Sequence, residues 1–599
     1  MKKILLLLCV TLFLSKGYAQ VAISAEGFLP DVSAMLDVSS TTKGVLIPRM
    51  TQAQRNSIVT PTTGLMIFQT DNTPGIYVNV GTAFVPQWSL AGSSGWALTG
   101  NSGTGSTNFI GTTDNVPFNI RVNNQKAGRI DNVFQSTCFG YLAGNSYTGY
   151  GITAVGDHAL YLTTGGDNTA MGTAALYHNS TGSENTANGY YALTYNTTGS
   201  NNTANGSGAL WGNSAGNNNT ASGYQAMFST SGSDNVANGY QALQWNSGSG
   251  NTASGSQALS ALNLSGSYNT ASGYQALSSN TSGINNTATG YQALSSNTTG
   301  SWNTANGNQA LFLNTTGNDN TAFGQRALAS HKTGYENTAI GTVALTSDTS
   351  GSWNTAIGDF ALADNTNGQE NTGVGESALW FNTTGNYNTT IGTWALSYNL
   401  TGNYNTSIGY AAGVGYGYSS LTNTTCIGAN AYVVVPNKIR LGNSTVGIIE
   451  GQVPYSYPSD GRFKNSIKED VKGLEFISKL RPVTYKFDTK KFDEFLMKSM
   501  PDSIRQKRTK DIDYTESSGI VHTGFIAQEV EKAAQECGFT FDGVIVPKND
   551  NDNYGVAYSQ FTMPLVKAVQ ELNEKNMQQQ KHIETLEARL EKLEKLVIK

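Results

Sequence analysis

The residues in this sequence best placed to do chemistry are a serine and a lysine near the start of its last quarter. The run Ser459–Lys464 reads SDGRFK. A serine hydroxyl is a weak nucleophile until a base removes its proton. A lysine amine can be that base where desolvation or a neighbouring cation lowers its pKa, and Arg462 either supplies that cation or holds Asp460. The spacing permits a Ser/Lys dyad, and the alternative is a loop with an incidental serine and lysine.

Three further motifs follow this run. They are Gly473–Phe487 (GLEFISKLRPVTYKF), His522–Val530 (HTGFIAQEV) and Tyr558–Leu572 (YSQFTMPLVKAVQEL). With Ser459–Lys464 they closely resemble the C-terminal intramolecular chaperone of phage tail spikes and endosialidases, the peptidase S74 family. The signature of that family is S-D-x-R-x-K, which is present here in full. Four motifs in the family's order make the match specific.

The resemblance implies a role for each residue of the signature. Ser459 is the expected nucleophile and Lys464 its partner. Asp460 and Arg462 are supporting residues, and the cut falls between Pro458 and Ser459. Because Ser459 directly follows that bond, its attack on the preceding carbonyl is intramolecular and needs no substrate pocket. The resemblance also implies that the domain trimerises, nucleates folding of the fibre before it, and then cuts itself off.

The middle of the chain repeats the pattern Asn-Thr-Ala-x-Gly-x-x-Ala-Leu, followed by a polar turn. Most copies begin 17 residues apart, and a fixed period of this length indicates a solenoid. A glycine in every copy disfavours helical repeats, whereas Asn, Gly, Ser and Thr between copies are typical of turns. The opening residues are Asn168, Asn185, Asn202, Asn219, Asn235, Asn251, Asn269, Asn286, Asn303, Asn320, Asn337, Asn354, Asn371, Asn388 and Asn405.

Each copy is predicted to form one coil of a parallel β structure. Small and variable positions alternate in Asn-Thr-Ala-x-Gly, which is the period of a strand. The residue that ends each motif, from Leu176 to Leu396, is expected inside the coil, and stacked Asn side chains can hydrogen-bond from coil to coil. The predicted fold class is mainly β: a parallel β-roll or β-helix solenoid of 17-residue repeats, then a small α+β chaperone domain and a C-terminal coiled-coil helix.

Several late copies resemble the head repeats of trimeric autotransporter adhesins, although the period of 17 is longer than the coil usual in those heads. These copies are Asn320–Gly324 (NTAFG), Asn337–Gly341 (NTAIG), Asn354–Gly358 (NTAIG), Asn388–Gly392 (NTTIG) and Asn405–Gly409 (NTSIG). The resemblance implies three rolls packed around an axis. The x position is apolar in the first and last copies and polar from Asn188 to Asn306. We interpret it either as the face toward that axis or as an edge column of little consequence.

Composition changes along the chain predict its domains. Lys2 and Lys3 followed by the apolar run Ile4–Leu14 are typical of a signal peptide, predicted over residues 1–19. The segment Ala34–Met50 resembles the start of exported fibre-like proteins of Bacteroidetes-type bacteria. The remaining predicted regions are a β-rich N-terminal region at 20–135, a β-roll rod at 136–449, a linker at 450–457, the peptidase S74 domain at 458–572 and an overlapping coiled coil at 560–599.

Composition also excludes several classes of function. The net charge of −5 gives no reason to expect nucleic acid as a partner. The histidines do not share ligand spacing and the chain has no CxxC motif, so neither a metal site nor any other cofactor is expected. The apolar run at the start is too short for a membrane anchor, and no membrane span is expected in the mature chain.

The sequence therefore predicts an exported homotrimeric fibre or adhesin at the cell surface or outside the cell, with an intramolecular chaperone that cleaves itself off. Beyond its own copies, a surface glycan and a host receptor are both open as partners. A glycan-degrading tail-spike-like enzyme is one alternative, disfavoured because no pair of carboxylates stands out in the repeats. A plain adhesin whose S74 domain stays attached is the other.

Overall fold

The computed structural model describes residues 20–92, 104–260, 265–453, 455–510 and 512–598. The chain divides into two compact units, the first ending at Thr113 and the second beginning at Asp114. The predicted signal peptide, residues 1–19, lies outside the described residues. Over the described part of the chain, none of the helices is both long enough and apolar enough to cross a membrane.

Among its described residues, 20–92 and 104–113, the first unit is β-rich and contains one short helix. Its helix α1 is capped by Thr51, whose side chain accepts a hydrogen bond from the Gln54 backbone. Two parallel strands form one ribbon, and four further strands form a sheet in chain order. The elements are β1 (Val21–Ser24), β2 (Leu36–Ser39), β3 (Arg49–Met50), α1 (Gln52–Asn56), β4 (Met66–Gln69), β5 (Gly75–Asn79) and β6 (Trp88–Leu90).

The apolar surface of this unit is largely uncovered in a single chain. Its buried apolar core contains Ile67, beside which the Arg55 guanidinium lies 4.6 Å from the centre of the Tyr77 ring. By contrast, Leu29 and Val32 are 91% and 92% exposed. Exposed apolar groups on this scale mark a surface that associates with another chain.

The second unit begins with an antiparallel hairpin and continues as the solenoid. The main sheet runs from β7 through the hairpin and then, coil by coil, to β33. The strands are β7 (Phe118–Val122), β8 (Gln125–Asp131), β9 (Ser136–Phe139), β10 (Ser146–Tyr147), β11 (Thr153–Val155), β12 (Leu162–Thr163), β13 (Thr169–Met171), β14 (Thr186–Asn188), β15 (Thr203–Asn205), β16 (Thr220–Ser222), β17 (Ser229–Thr230), β18 (Val236–Asn238), β19 (Trp245–Asn246), β20 (Thr252–Ser254), β21 (Thr270–Ser272), β22 (Thr287–Thr289), β23 (Thr304–Asn306), β24 (Thr321–Phe323), β25 (Thr338–Ile340), β26 (Thr355–Ile357), β27 (Thr372–Val374), β28 (Thr389–Ile391), β29 (Thr406–Ile408), β30 (Gly413–Val414), β31 (Thr425–Ile427), β32 (Tyr432–Val433) and β33 (Ile439–Leu441).

The predicted parallel coil is confirmed, with its strand formed by Thr-Ala-x. Strands of successive coils pair in parallel with like residues opposite each other, as in β22 and β23, where Ala288 faces Ala305. The Ala points into the coil and is fully buried, as is Leu294 of the same coil. The x side chain, Asn306 in β23, is exposed on the outer face of the strand. An axis-facing and a solvent-facing column are both exposed in a single chain, so the axis assignment stays a prediction.

Two columns of asparagine run through the interior of the rod. In the first, which the repeat predicted, Asn303 donates from its backbone and its side chain to Asn286 Oδ1 at 3.0 and 3.1 Å. The second column was not predicted and lies three residues after most of the buried leucines. There Asn297 Nδ2 donates to Asn280 Oδ1 at 2.8 Å. Because buried amides must be hydrogen-bonded, these ladders tie each coil to the next.

The backbone of each coil needs both glycine and an unusual leucine conformation. The glycine after the strand has a positive φ, 127° at Gly290, and a Cβ there would lie 2.5 Å from the carbonyl oxygen of Gly307. The column therefore admits only glycine. The buried leucine is also left-handed, with φ of 52° at Leu294. That conformation is costly for a leucine, and burial together with the hydrogen bond from Leu294 N–H to Ala310 O offsets it.

The C-terminal part of the second unit is mixed α and β. Two antiparallel strand pairs, β34 with β35 and β36 with β37, accompany the helices. The elements are a 3₁₀ turn (Gly461–Phe463), α2 (Leu474–Ile477), β34 (Val483–Lys486), α3 (Thr489–Leu496), α4 (Asp502–Thr509), α5 (Thr515–Gly519), β35 (Val521–Gly524), α6 (Ala527–Glu536), β36 (Val544–Ile545), β37 (Gly555–Val556), a second 3₁₀ turn (Tyr558–Phe561) and α7 (Thr562–Val597).

Three of the four C-terminal motifs meet in one hydrophobic core. Phe476, Val530 and Phe561 come from the second, third and fourth motifs and are all buried in it. Polar contacts hold the same elements together, because Glu571 of α7 accepts a hydrogen bond from Leu474 N–H at 2.7 Å. Beyond this core α7 continues as a single helix whose heptad residues, among them Leu586, are about half exposed. A coiled coil would cover them.

The end of the rod packs against this domain. Tyr432 is buried together with Leu496, Met497 and Met500, which lie at and just beyond the end of α3. An ion pair of 3.0 Å joins Lys438 of the rod to the domain's Asp552. The last coil and the domain therefore form a continuous interface within the second unit.

Candidate active site

The Ser459–Lys464 segment is shaped by a single 3₁₀ turn. Asp460 is the residue before that turn, and its carboxylate accepts a hydrogen bond from Arg462 N–H at 2.9 Å. Such a cap satisfies a backbone donor that the turn would otherwise leave unpaired. The turn occupies Gly461–Phe463, so Ser459 and Lys464 lie on either side of it.

The structure brings the two predicted catalytic residues into direct contact. Lys464 Nζ donates a hydrogen bond to Ser459 Oγ at 2.7 Å. That separation is within the range needed for proton transfer between a nucleophile and its base. Both residues are exposed in the single chain. The geometry of a Ser/Lys dyad is therefore present, in a solvated setting.

The Arg462 side chain forms an ion pair with Asp460. Its Nε and Nη2 donate to Asp460 Oδ2 at 2.9 and 2.5 Å. The hydrogen bonds from the Arg462 side chain and backbone hold the pKa of Asp460 below its usual range. Of the two roles that the sequence left open for Arg462, the geometry matches the holding of Asp460. The pair fixes the turn between Ser459 and Lys464.

The bond predicted to be cut lies in an open segment. Pro458 and Ser459 are both exposed, and the described residues on either side of them, 455–457 and 460–470, are exposed as well. Attack by Ser459 on the carbonyl of Pro458 requires no separate substrate pocket, because the two groups are covalent neighbours. Within the described ranges, no three His, Cys, Asp or Glu side chains gather as a metal site.

Sequence reasoning missed the apolar residues that surround the dyad. Tyr455, Tyr457, Phe463 and Ile467 are each at least 69% exposed in the single chain. Large apolar side chains in an exposed loop could have been recognised in the sequence as a sign of an interface. Together with the dyad they form a surface that another copy of the chain can cover.

Comparisons with known families agree with this arrangement at both ends of the chain. Residues 24–103 match the family described as a phage tail like trimerisation region. Residues 459–539 match the family described as the chaperone of endosialidase, peptidase S74. The two matched segments are thus similar to a phage tail like trimerisation region and to a peptidase S74 chaperone domain. The search of curated proteins gives no match.

The two matches coincide with exposed apolar surfaces near both ends of the chain. The trimerisation region covers the N-terminal unit, where Leu29 and Val32 are uncovered, and it supports self-association as a homotrimer. The sequence had predicted only a β-rich N-terminal region there. The S74 match begins at Ser459 and includes Lys464. Together the two matches support a trimeric, fibre-like chain that carries a chaperone domain.

Proposed function

We propose that this chain forms an exported homotrimeric fibre and that its S74 domain cuts itself off at the Pro458–Ser459 bond once the fibre has assembled. The observation that carries the self-cutting is the 2.7 Å hydrogen bond between Lys464 Nζ and Ser459 Oγ. The S74 match, which begins at Ser459, supports it. The reaction is a single turnover on the chain itself.

The chemistry has two steps. Lys464, as a neutral amine, takes the proton from Ser459 Oγ, and the oxygen attacks the carbonyl carbon of Pro458. The bond from that carbon to the Ser459 nitrogen breaks, and the nitrogen receives the proton, which leaves an ester between Pro458 and Ser459 Oγ. Water then hydrolyses the ester. The products are a carboxylate on Pro458 and a new amino terminus at Ser459 with its hydroxyl restored.

Assembly supplies what the single chain lacks. A lysine serves as a base only when its charged form is disfavoured, and removal from water does this. The exposed Tyr455, Tyr457 and Phe463 beside the dyad would be covered in a trimer, and the dyad with them. In this proposal the cut therefore depends on correct assembly, so that only trimers lose the chaperone.

The location and role of the mature fibre complete the proposal. The signal-peptide pattern in residues 1–19 supports export to the cell surface or beyond, in a Bacteroidetes-like bacterium. A long rod without its chaperone is suited to adhesion, with a surface glycan or a host receptor as partner. A rigid solenoid can present a binding surface at a distance from the cell.

Variants of the dyad test the self-cutting. The wild-type protein should yield a fragment that begins at Ser459, identified by N-terminal sequencing and intact mass. Ser459→Ala and Lys464→Ala should leave the chain whole. Lys468→Ala removes another exposed lysine of the same loop and should be cut like the wild type.

Each variant is first shown to be trimeric, so that loss of cutting is separated from loss of assembly. Cutting that persists in Ser459→Ala would remove the dyad from the mechanism. A wild-type protein that assembles but stays whole would favour the plain adhesin with an attached S74 domain.

A further inference from the structure

The last full coils of the rod contain a cleft. Its volume is about 820 Å³, and aromatic side chains dominate its lining. Clefts of this size with mostly apolar walls and a few polar groups are typical of ligand sites. Two departures from the repeat build it.

The first departure is a concentration of rings close to the buried leucines of two consecutive coils. In the central coil, Leu294 is followed by Ser295 and Ser296. In the coil that opens at Asn371, the same two positions are Trp380 and Phe381, and both line the cleft. The next coil contributes Trp394 and Tyr398. Single rings also follow the leucine in several earlier coils, as at Tyr195 and Trp211, but the two coils beside the cleft contribute four rings to one wall.

The second departure is an insertion. The step from Asn405 to the equivalent Thr424 is 19 residues, where most steps are 17. The longer turn contributes Tyr416 and Ser419 to the wall of the cleft. Insertions in a repeat array lie on its surface and frequently form a binding face. Here the insertion and the aromatic substitutions coincide in space.

The rings hold one another in place. Trp380 and Phe381 stack with centroids 4.9 Å apart and planes 8° apart, and Phe381 stacks on Tyr398 at 6.0 Å. Tyr398 in turn meets the edge of the Tyr416 ring at 5.2 Å. A wall fixed by such contacts loses little freedom when a ligand binds. The cleft is therefore preorganised.

We infer that this cleft binds a neutral oligosaccharide. The residues of its lining are all uncharged, which disfavours an anionic glycan, a phosphate or a nucleic acid strand. A pyranose ring combines apolar C–H faces with hydroxyl groups at its edge. Aromatic rings match the faces, and the hydroxyls of Tyr410, Tyr416 and Ser419 can match the edge.

The cleft does not include the outward column of the strands, which is the predicted axis face of the rod. The outward column of the strands includes Ile391 and Ile408, which do not line it. One edge is formed by Ser503 of α4, in the segment that self-cutting would release. The inference deepens the proposed adhesive role, but binding can be measured whether or not the chain is cut. The test therefore uses wild-type protein and the uncut Ser459→Ala variant side by side.

The test is to titrate the trimer with neutral hexasaccharides of glucose, galactose, mannose and N-acetylglucosamine. Binding is measured by calorimetry and by tryptophan fluorescence. At least one should bind saturably to both proteins. Trp380→Ala and Trp394→Ala should each weaken that binding on the order of tenfold, the usual effect of removing one stacked ring. Trp353→Ala is the matched control, because Trp353 is also partly exposed on the rod and does not line the cleft. Circular dichroism confirms that each variant is folded.

Three results would overturn the inference. One is the absence of saturable binding across the panel. Another is equal binding by the Trp380, Trp394 and Trp353 variants. The third is binding of a proline hexapeptide that depends on Trp380 when no saccharide binds, since that would make the cleft a peptide groove of the kind that accepts polyproline.

Discussion

The rod is stabilised by contacts that repeat from coil to coil, whereas the S74 domain is stabilised by contacts that each occur once. In the rod, each coil repeats the same contacts, such as the step from Asn286 to Asn303, so neighbouring coils are nearly interchangeable. In the S74 domain each contact occurs once, as between Glu571 and Leu474. A shift of one whole coil between chains would preserve most rod contacts, whereas no shift preserves those of the domain. The difference indicates that the rod provides length and the domain provides register.

The largest expected effect comes from removing the S74 domain together with the C-terminal helix. Deleting residues 459–599 before folding should give aggregated or monomeric rods, because non-local β pairing is slow and exposes strand edges until a nucleus forms. Removing the same residues from the folded trimer, with a protease site inserted before Ser459, should leave a stable trimer. Size-exclusion chromatography with light scattering distinguishes the two. Normal assembly of the deleted chain would show that the rod sets its own register.

A smaller effect is expected inside one coil of the rod. Leu294→Ala should lower the free energy of unfolding by about 2–5 kcal/mol per chain, because the leucine is fully buried. Thr299→Ala in the same coil changes an exposed side chain and should have an effect within about 0.5 kcal/mol. Denaturant unfolding of the trimer measures both. Similar values for the two variants would mean that the coil interior contributes little to stability.

The repeat explains why so much of the rod was predictable. With a period of 17, the Thr-Ala-x strand, the buried leucine and the first asparagine column all follow from residue type and alternation. The second column was readable as well, three residues after most of the leucines, as at Asn297. The left-handed conformation of Leu294 was not, because leucine rarely adopts it and tertiary packing imposes it here.

The S74 region was predictable for a different reason. Its motifs predicted the Ser459–Lys464 contact, which the geometry contains. They did not predict that Tyr432 of the rod packs on Leu496, because such a contact joins segments without shared periodicity. The motifs also did not predict the N-terminal trimerisation region, because its exposed apolar residues would be buried only by contact with other copies of the chain.

One defect in the second asparagine column leads us to expect that the rod's stability depends on pH. His331 and Asp348 take the place of asparagine in consecutive coils, with His331 Nδ1 and Asp348 Oδ2 2.6 Å apart and both side chains fully buried. The other ring nitrogen, Nε2, donates to Gly334 O. Asn314 Oδ1, the previous acceptor of the column, is left without a hydrogen-bond partner among the described residues.

Burial raises the pKa of Asp348, although the hydrogen bonds from His331 and Asn365 oppose that change. Between pH 3.8, the ordinary pKa, and the raised pKa, Asp348 keeps its proton in the folded chain and has lost it in the unfolded chain. Stability should fall as the pH rises from there through the raised pKa. The double substitution His331→Asn with Asp348→Asn restores the amide column. It should stabilise the rod by about 1–3 kcal/mol and remove this dependence.

Thermal melting of both proteins across acid and neutral pH checks this prediction. The Asp359→Asn variant, in which an exposed carboxylate of the next coil is changed, serves as the control and should retain the wild-type pH profile. Identical profiles for the wild type and the double variant would mean that the buried pair does not control the pH response.

The smallest expected effect is at the contact between rod and domain. Despite burial, the hydrogen bond from Lys438 lowers the pKa of Asp552. The stability that this ion pair contributes is complete above pH 3.8, the ordinary pKa of the carboxyl group. It is lost as the pH falls through the lowered pKa of Asp552. Asp552→Asn in the uncut Ser459→Ala chain should destabilise the domain by about 1 kcal/mol. Differential scanning calorimetry measures this, and an unchanged domain transition would show that the ion pair is dispensable.

Native mass spectrometry of the purified wild-type protein tests directly whether self-cutting follows assembly. We expect three associated chains that each end at Pro458, together with a separate fragment of Ser459–Lys599. A complex of three whole chains would contradict the self-cutting. A single chain that ends at Pro458 without partners would contradict the link between cutting and assembly.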